Sequence, residues 1–326
     1  MEKNINTHWE FIDITKGVSI LLVILSHAYS PLMSWASAFF IPVFFVTSGY
    51  CSRNRVNVKK KFLTLIIPYI VFTCILFIIY WTFQPVNFLG AIYSRWCLYP
   101  IDSTGNVYLL RSGNGPLWFL TSMFISFLIW SVIQRSKRQF ILLGMCLLIS
   151  YTLTFLPILL PWSIDTAFFL AIFIAVGEKI KKFSILDKFN VYFLLFFVCV
   201  YIILSYICGE VNLSVREYGT SIFILFPTAI IGSILLLKIS YYLEQTIIGH
   251  IFAKIGKHSL PIFCLHIPLL DIWSSFFESF MPNLNPMIVG IVTTIIILIC
   301  VYPFAVFINT YILPTFISVI SISYKK

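Results

Sequence analysis

Charged side chains are missing over stretches long enough to cross a lipid bilayer, and the pattern recurs along the whole chain. None falls between Lys61 and Arg95, between Lys188 and Glu210, between Glu217 and Lys238, or between Glu278 and Lys325. A membrane-spanning helix needs about 20 apolar residues, and these intervals supply them repeatedly. Soluble chains carry roughly 25% charged residues; here the figure is 10%, against 60% hydrophobic, with 33 Phe, 17 Tyr and 8 Trp in 326 residues. A water-soluble globule is excluded. So is disorder, which requires low hydrophobicity. One all-α, polytopic transmembrane domain over 1–326 is expected.

Apolar windows, read against breakers and charges, predict about ten transmembrane helices. They lie near 11–30, 34–51, 62–83, 115–134, 140–156, 164–180, 190–208, 218–238, 259–280 and 286–320. The last is longer than a bilayer requires, and Pro303 and Pro314 predict that it kinks or leaves the membrane early. An even count puts both termini on one side. Nineteen of the 22 Lys and Arg residues lie on that side, and only Arg95, Arg111 and Arg216 lie opposite. The acidic residues split six and six, so the net +10 resolves into +13 and −3. The positive-inside rule then puts both termini in the cytoplasm. Topology accounts for the basic excess, and no nucleic-acid partner is expected.

The eight cysteines are scattered singly, so no disulfide framework or metal site is encoded. The first apolar run, 17–25, ends in Ser26 and His27 without a small-residue cleavage site and reads as a retained helix. No internal repeat is visible, which weighs against a secondary transporter. Two connections are longer than a turn. One is 84–114 on the outer side, with Arg95, Asp102 and Arg111; the other is 239–258 on the inner side, where an amphipathic surface helix fits.

Ionisable side chains at membrane depth are costly and mark functional sites. Asp13, Lys16 and His27 share one stripe of the first helix. Lys16 and His27 are eleven positions apart, three turns plus about 20°, which sets His27 roughly 16 Å deeper. Lys16 can meet phosphate oxygens at the cytoplasmic entry, while His27 can take a proton from a hydroxyl. The plainer alternative is an Asp13–Lys16 ion pair at the helix start with His27 bonded to a carbonyl.

The loop after the second helix holds Arg53, Arg55, Lys59, Lys60 and Lys61, five cations in nine residues. They suit the phosphates of a nucleotide-containing donor, and equally suit anionic lipid and positive-inside topology. Pro42 and Gly49 lie inside the second span, a break tolerated where backbone is covered by protein or lines a cavity. Trp118 begins the fourth span, either as a belt residue or as a face on which a sugar stacks. His266, in the ninth, either serves the same cavity as His27 or ties two helices together. Asp165 and Asp271 are candidates to orient an imidazole, and Asp165 is also placed to stabilise a helix N-terminus. Glu210, Arg216 and Glu217 read as a solvated outer turn.

Several segments occur in order: Ile12-Asp13-Ile14-Thr15-Lys16-Gly17 leading to His27, Pro42-Val43-Phe44-Phe45 with Ser48-Gly49-Tyr50, Pro68-Tyr69, Leu117-Trp118-Phe119-Leu120, Gly177, and Ser259 to His266. This ordered set resembles the integral-membrane acyltransferase family called acyltransferase type 3, especially its sugar and polysaccharide O-acetyltransferases. The resemblance implies a multi-pass protein of the bacterial inner membrane. It implies acetyl-CoA as the usual acyl donor and co-substrate, and a hydroxyl of a glycan or lipid-linked sugar as acceptor. By the same resemblance His27 matches the family's essential histidine, and Lys16 matches a position that is Arg in many relatives. Arg53 and Arg55 match the basic cytoplasmic motif with a departure, since many relatives place two residues between the arginines. The expected site is therefore His27 as catalytic residue, Lys16, Asp13, Arg53 and Arg55 on the donor, and Trp118, Asp165 and His266 on the acceptor. Two other readings stay open: a flippase for a lipid-linked saccharide, and succinyl in place of acetyl transfer.

Overall fold

Inside a bilayer no water takes up backbone N–H and C=O groups, so each crossing must satisfy its own, and this chain does so with helices. The computed structural model describes residues 9–29, 31, 33–52, 55–81, 83–100, 106–109 and 115–323. Its helices are α1 (Glu10–Ala28), α2 (Met33–Phe40), α3 (Pro42–Tyr50), α4 (Val58–Lys61), α5 (Ile67–Tyr80), α6 (Pro85–Tyr93), α7 (Trp118–Ile133) and α8 (Gln139–Leu153). They continue with α9 (Ile164–Lys182), α10 (Ile185–Lys188), α11 (Val191–Cys208), α12 (Ile222–Leu243), α13 (Ile247–Lys257), α14 (Ser259–Phe280), α15 (Pro286–Phe307) and α16 (Leu313–Ser323). Among the described residues there is no strand, and two isolated bridges, Cys97–Tyr108 and Asn212–Glu217, tie loops. The protein is an all-α polytopic membrane protein. Seven segments are long and apolar enough to cross a membrane, and the apolar stretches Ser34–Tyr50 and Gln139–Leu153 are shorter.

The prolines act locally and in two ways. Pro42 divides the second span: α2 ends at Phe40, Ile41 is a one-residue turn, and α3 restarts with Pro42 in its first turn, where a missing N–H costs nothing. Pro68 and Pro314 are each preceded by a π-helical turn, Phe62–Ile66 and Ile308–Ile312, that ends two residues before the ring. Widening the helix there relieves the clash between a proline ring and the carbonyl four residues back. The last segment therefore continues past Pro303 and re-registers before Pro314 rather than ending.

Apolar side chains gain little by leaving lipid for another helix, so helices associate where their backbones can approach closely. Two such contacts organise the bundle. In α3 and α9, Gly49 lies against the Ile174 carbonyl and Gly177 against the Val46 carbonyl; a Cβ at Gly177 would sit 1.9 Å from that oxygen. In α1 and α13, Gly17 lies against Phe252 and Gly256 against Asp13, where a Cβ would sit 1.8 Å from the Asp13 carbonyl oxygen. The start of α1 is held from the same side. Glu244 accepts from the Phe11 backbone N–H at 2.9 Å, and Glu10 pairs with His250 at 2.7 Å. The amphipathic helix expected in 239–258 is thus α13. It turns Gly249, Ala253 and Gly256 inward and leaves Ile247 and Ile251 exposed.

At the opposite end of the bundle lies a buried charge cluster that overturns two expectations. Arg216 is no solvated turn residue: it is 5% exposed, beside Arg95 at 1% and Asp165 at 0%. Asp165 pairs with Arg95 through one oxygen and with Arg216 at 3.3 Å through the other. It also accepts the Leu160 and Thr166 backbone N–H groups, at 3.1 and 3.0 Å. The remaining guanidinium donors go to the carbonyls of Leu156, Ile158, Leu160 and Ser214. Asp165 is therefore consumed by two arginines and two amides, with no acceptor capacity left for a ligand or an imidazole.

Three variants test this packing. Gly177→Ala should lose about 1–3 kcal/mol through overpacking, seen as a lower melting midpoint in detergent. Gly144→Ala, with nothing within 4 Å of the added methyl, should melt with the parent. Asp165→Ala leaves two buried guanidiniums uncompensated and should cost about 3–5 kcal/mol, read as loss of monodisperse protein on size-exclusion chromatography.

Candidate active site

The polar stripe of α1 opens onto two separate cavities, one at Lys16 and one at His27, and α3 walls both. The Lys16 cavity, about 500 Å³, is lined by Lys16, Arg55, Lys60 and Lys61 together with Thr47, Ser48 and Cys51. Lys16 makes the expected i,i+3 pair with buried Asp13, at 3.5 Å, and its side chain stays 29% exposed. Lys61 Nζ lies 3.6 Å from the centre of the Phe127 ring, which orients its charge beside the cavity. Arg53 lies outside the described residues. Of the five cations that the sequence sets in this loop, Arg55, Lys60 and Lys61 line the cavity.

The His27 cavity, about 270 Å³, has a different character. Trp96 and Trp118 form aromatic wall, and Ser37, Asn212 and Ser214 add polar groups. Ile41, the turn residue before Pro42, lines it as well, so the break in the second span falls where covered backbone is tolerated. His27 is accessible through this cavity, and no described residue hydrogen-bonds its ring. Trp118 is 6% exposed and faces the cavity, which removes the lipid-belt reading. Trp96, Asn212 and Ser214 were not legible as site residues: they come from loops held here by bonds distant in sequence, among them Arg95 to the Ser214 carbonyl, Thr166 to the Leu213 carbonyl and the Val211 N–H to Ser37.

A phenylalanine cluster adjoins the part of α3 that lies between the residues lining the two cavities. On α3, Ile41 faces the His27 cavity and Thr47 and Ser48 face the Lys16 cavity, with Phe44 between them. Phe44, Phe119 and Phe263 form a closed triangle, with ring centres 5.6, 4.8 and 6.4 Å apart.

His266 is brought to His27, their ring centres 5.5 Å apart, but it is fully buried behind that ring and does not line the cavity. Its placement on the acceptor is thereby corrected. Asp165 is corrected likewise, being enclosed in the arginine cluster. Asp271 accepts from the Tyr80 hydroxyl at 2.8 Å on the exposed surface and does not reach an imidazole. No group of three or more His, Cys, Asp or Glu with metal-site geometry occurs among the described residues.

No curated relative matches the sequence. A family model described as an acyltransferase domain matches residues 9–308, a stretch that contains α1 through α15, both cavities and the phenylalanines between them. The chain belongs to the acyltransferase type 3 family.

Proposed function

We propose that the protein transfers an acetyl group from acetyl-CoA to a hydroxyl of a cell-surface polysaccharide or its lipid-linked sugar precursor. The observation that carries this reading is the pairing of a four-cation cavity with a tryptophan-walled one along the same helix. Phosphates of CoA match Lys16, Arg55, Lys60 and Lys61 through charge-assisted contacts. A sugar ring matches the flat faces of Trp96 and Trp118, with Ser37, Asn212 and Ser214 as hydrogen-bonding partners.

In this reading ten segments cross the inner membrane of a bacterium. Both termini and the Lys16 cavity face the cytoplasm, and the His27 cavity opens to the outer side. The thioester arm passes between Phe44, Phe119 and Phe263 to reach His27. His27 takes the proton of the acceptor hydroxyl as its oxygen attacks the thioester carbon; the C–O bond forms, the C–S bond breaks, and the proton passes on to the departing thiolate. An acetyl-His27 intermediate is the alternative route with the same donor, acceptor and products.

His27→Ala should lower turnover by at least about 100-fold, the loss of a general base, with protein level and melting midpoint retained. The measurement is acetyl-CoA-dependent O-acetylation in membrane vesicles, followed by mass spectrometry of the glycan; persistence of the O-acetyl mass sinks the assignment. Lys60→Ala with Lys61→Ala should raise KM for acetyl-CoA by about tenfold or more, as expected for lost phosphate contacts, with kcat retained. If the whole glycan, rather than its acetyl group, disappears from cells lacking the protein, the flippase reading replaces this one.

A further inference from the structure

His266 carries a buried polar atom without a partner, and its surroundings are specific. Its Nδ1 lies 2.7 Å from the Phe263 carbonyl oxygen. A carbonyl only accepts, so Nδ1 carries the hydrogen, and in the neutral ring Nε2 is left as a bare acceptor. That Nε2 is buried and unbonded in a residue with 0% exposure. Leaving such a group unsatisfied costs about 1–3 kcal/mol. The polar ring against it is that of His27, whose centre is 5.5 Å away with the planes tilted by 32°. An N–H···N hydrogen bond of about 2.9 Å between two imidazoles sets their centres roughly 5 Å apart, close to the separation of these two rings.

We propose that His266 is the positioning residue of His27: its Nε2 accepts the N–H of one His27 nitrogen and so keeps the other nitrogen bare and turned into the cavity. The chain of bonds then runs from the Phe263 carbonyl through His266 to His27, with an imidazole where many hydrolases use a carboxylate to fix the tautomer of a catalytic histidine. Among the described residues no carboxylate takes that place: Asp165 is held by two arginines and Asp271 by Tyr80. The arrangement also explains why Phe263 belongs both to the cavity wall and to the phenylalanine triangle: its backbone anchors the histidine pair while its ring guards the donor side. The inference rests on the function proposed above.

Two isosteric replacements separate positioning from packing. His266→Asn keeps an amide N–H where Nδ1 was and can retain the Phe263 bond, but it places no acceptor at the Nε2 position. His266→Gln places its carbonyl oxygen there. In acetyl transfer assays on the full-length protein, the Asn variant should lose about 10- to 100-fold in kcat, the worth of one buried hydrogen bond. Its KM values for acetyl-CoA and acceptor, and its melting midpoint, should stay near the parent's. The Gln variant should recover most of that loss. An Asn variant at parental kcat, or a Gln variant as impaired as Asn, overturns the proposal. His27→Ala serves as the separate control. If it stays active, the assignment of the whole site fails; if it is inactive while the His266 variants are unaffected, only the positioning role fails.

Discussion

Backbone-to-backbone approach at four glycines is the constraint on which the rest of this structure depends. Lipid tails are as apolar as leucine, so burying an apolar side chain against another helix offers little drive, and close packing must supply it. Gly17 and Gly256 join α1 to α13, and Gly49 and Gly177 join α3 to α9. The first pair sets α1 on a helix whose own apolar residues, Ile247 and Ile251, point away. The second fixes α3, and α3 is the wall common to both cavities. With α1 enclosed in this way, Lys16 and His27 face protein cavities instead of hydrocarbon, the condition under which ionisable groups are tolerated at such depth.

The arginine–aspartate cluster does at the loop end what the glycines do within the helices. One carboxylate against two guanidiniums leaves an excess positive charge in a buried place, and four backbone carbonyls absorb it. Those carbonyls belong to segments far apart in sequence, around 156–160 and at Ser214. The loops at this end of the bundle are thereby drawn into one layer. Since Ser214 and nearby Asn212 line the His27 cavity, the stability of this layer and the shape of that cavity's wall are a single property. A residue can matter greatly to such a site without ever touching a ligand.

Much of the helical organisation was legible because apolar run length and charge placement are local properties. The windows near 115–134, 164–180 and 259–280 reappear as Gly115–Ile133, Ile164–Lys182 and Ser259–Phe280. The polar stripe of α1 followed from helical periodicity alone, as did the Asp13–Lys16 pair. What was not legible depends on partners distant in sequence. Asp165 at a helix start looks like a free carboxylate until Arg95 and Arg216 are brought to it from 70 and 51 residues away. Arg216 looked solvated for the same reason. Trp118 was ambiguous because an interfacial tryptophan and a cavity wall share one sequence signal, and burial decides between them. His266 was recognisable as a histidine at depth, but its role turns on which of its nitrogens is already bonded, which only coordinates disclose.

The phenylalanine triangle gives the two cavities a chemical logic. A thioester is prone to hydrolysis, and a continuous aqueous path from the cationic pocket to His27 would let water compete with the acceptor for the same base. Phe44, Phe119 and Phe263 are rings of low polarity, Phe44 edge-on to the other two and Phe119 tilted against Phe263, and in the proposed reaction such a layer would exclude water when no donor is bound. If the donor enters from the Lys16 end, its thin pantetheine arm would be the element that parts them, filling the gap it opens. The base would then meet a thioester only when the donor itself occupies the passage. In the proposed reaction, the place of His27 beyond the layer, in the cavity with the tryptophans, would make access to the base conditional on donor binding and would need no moving domain to do so.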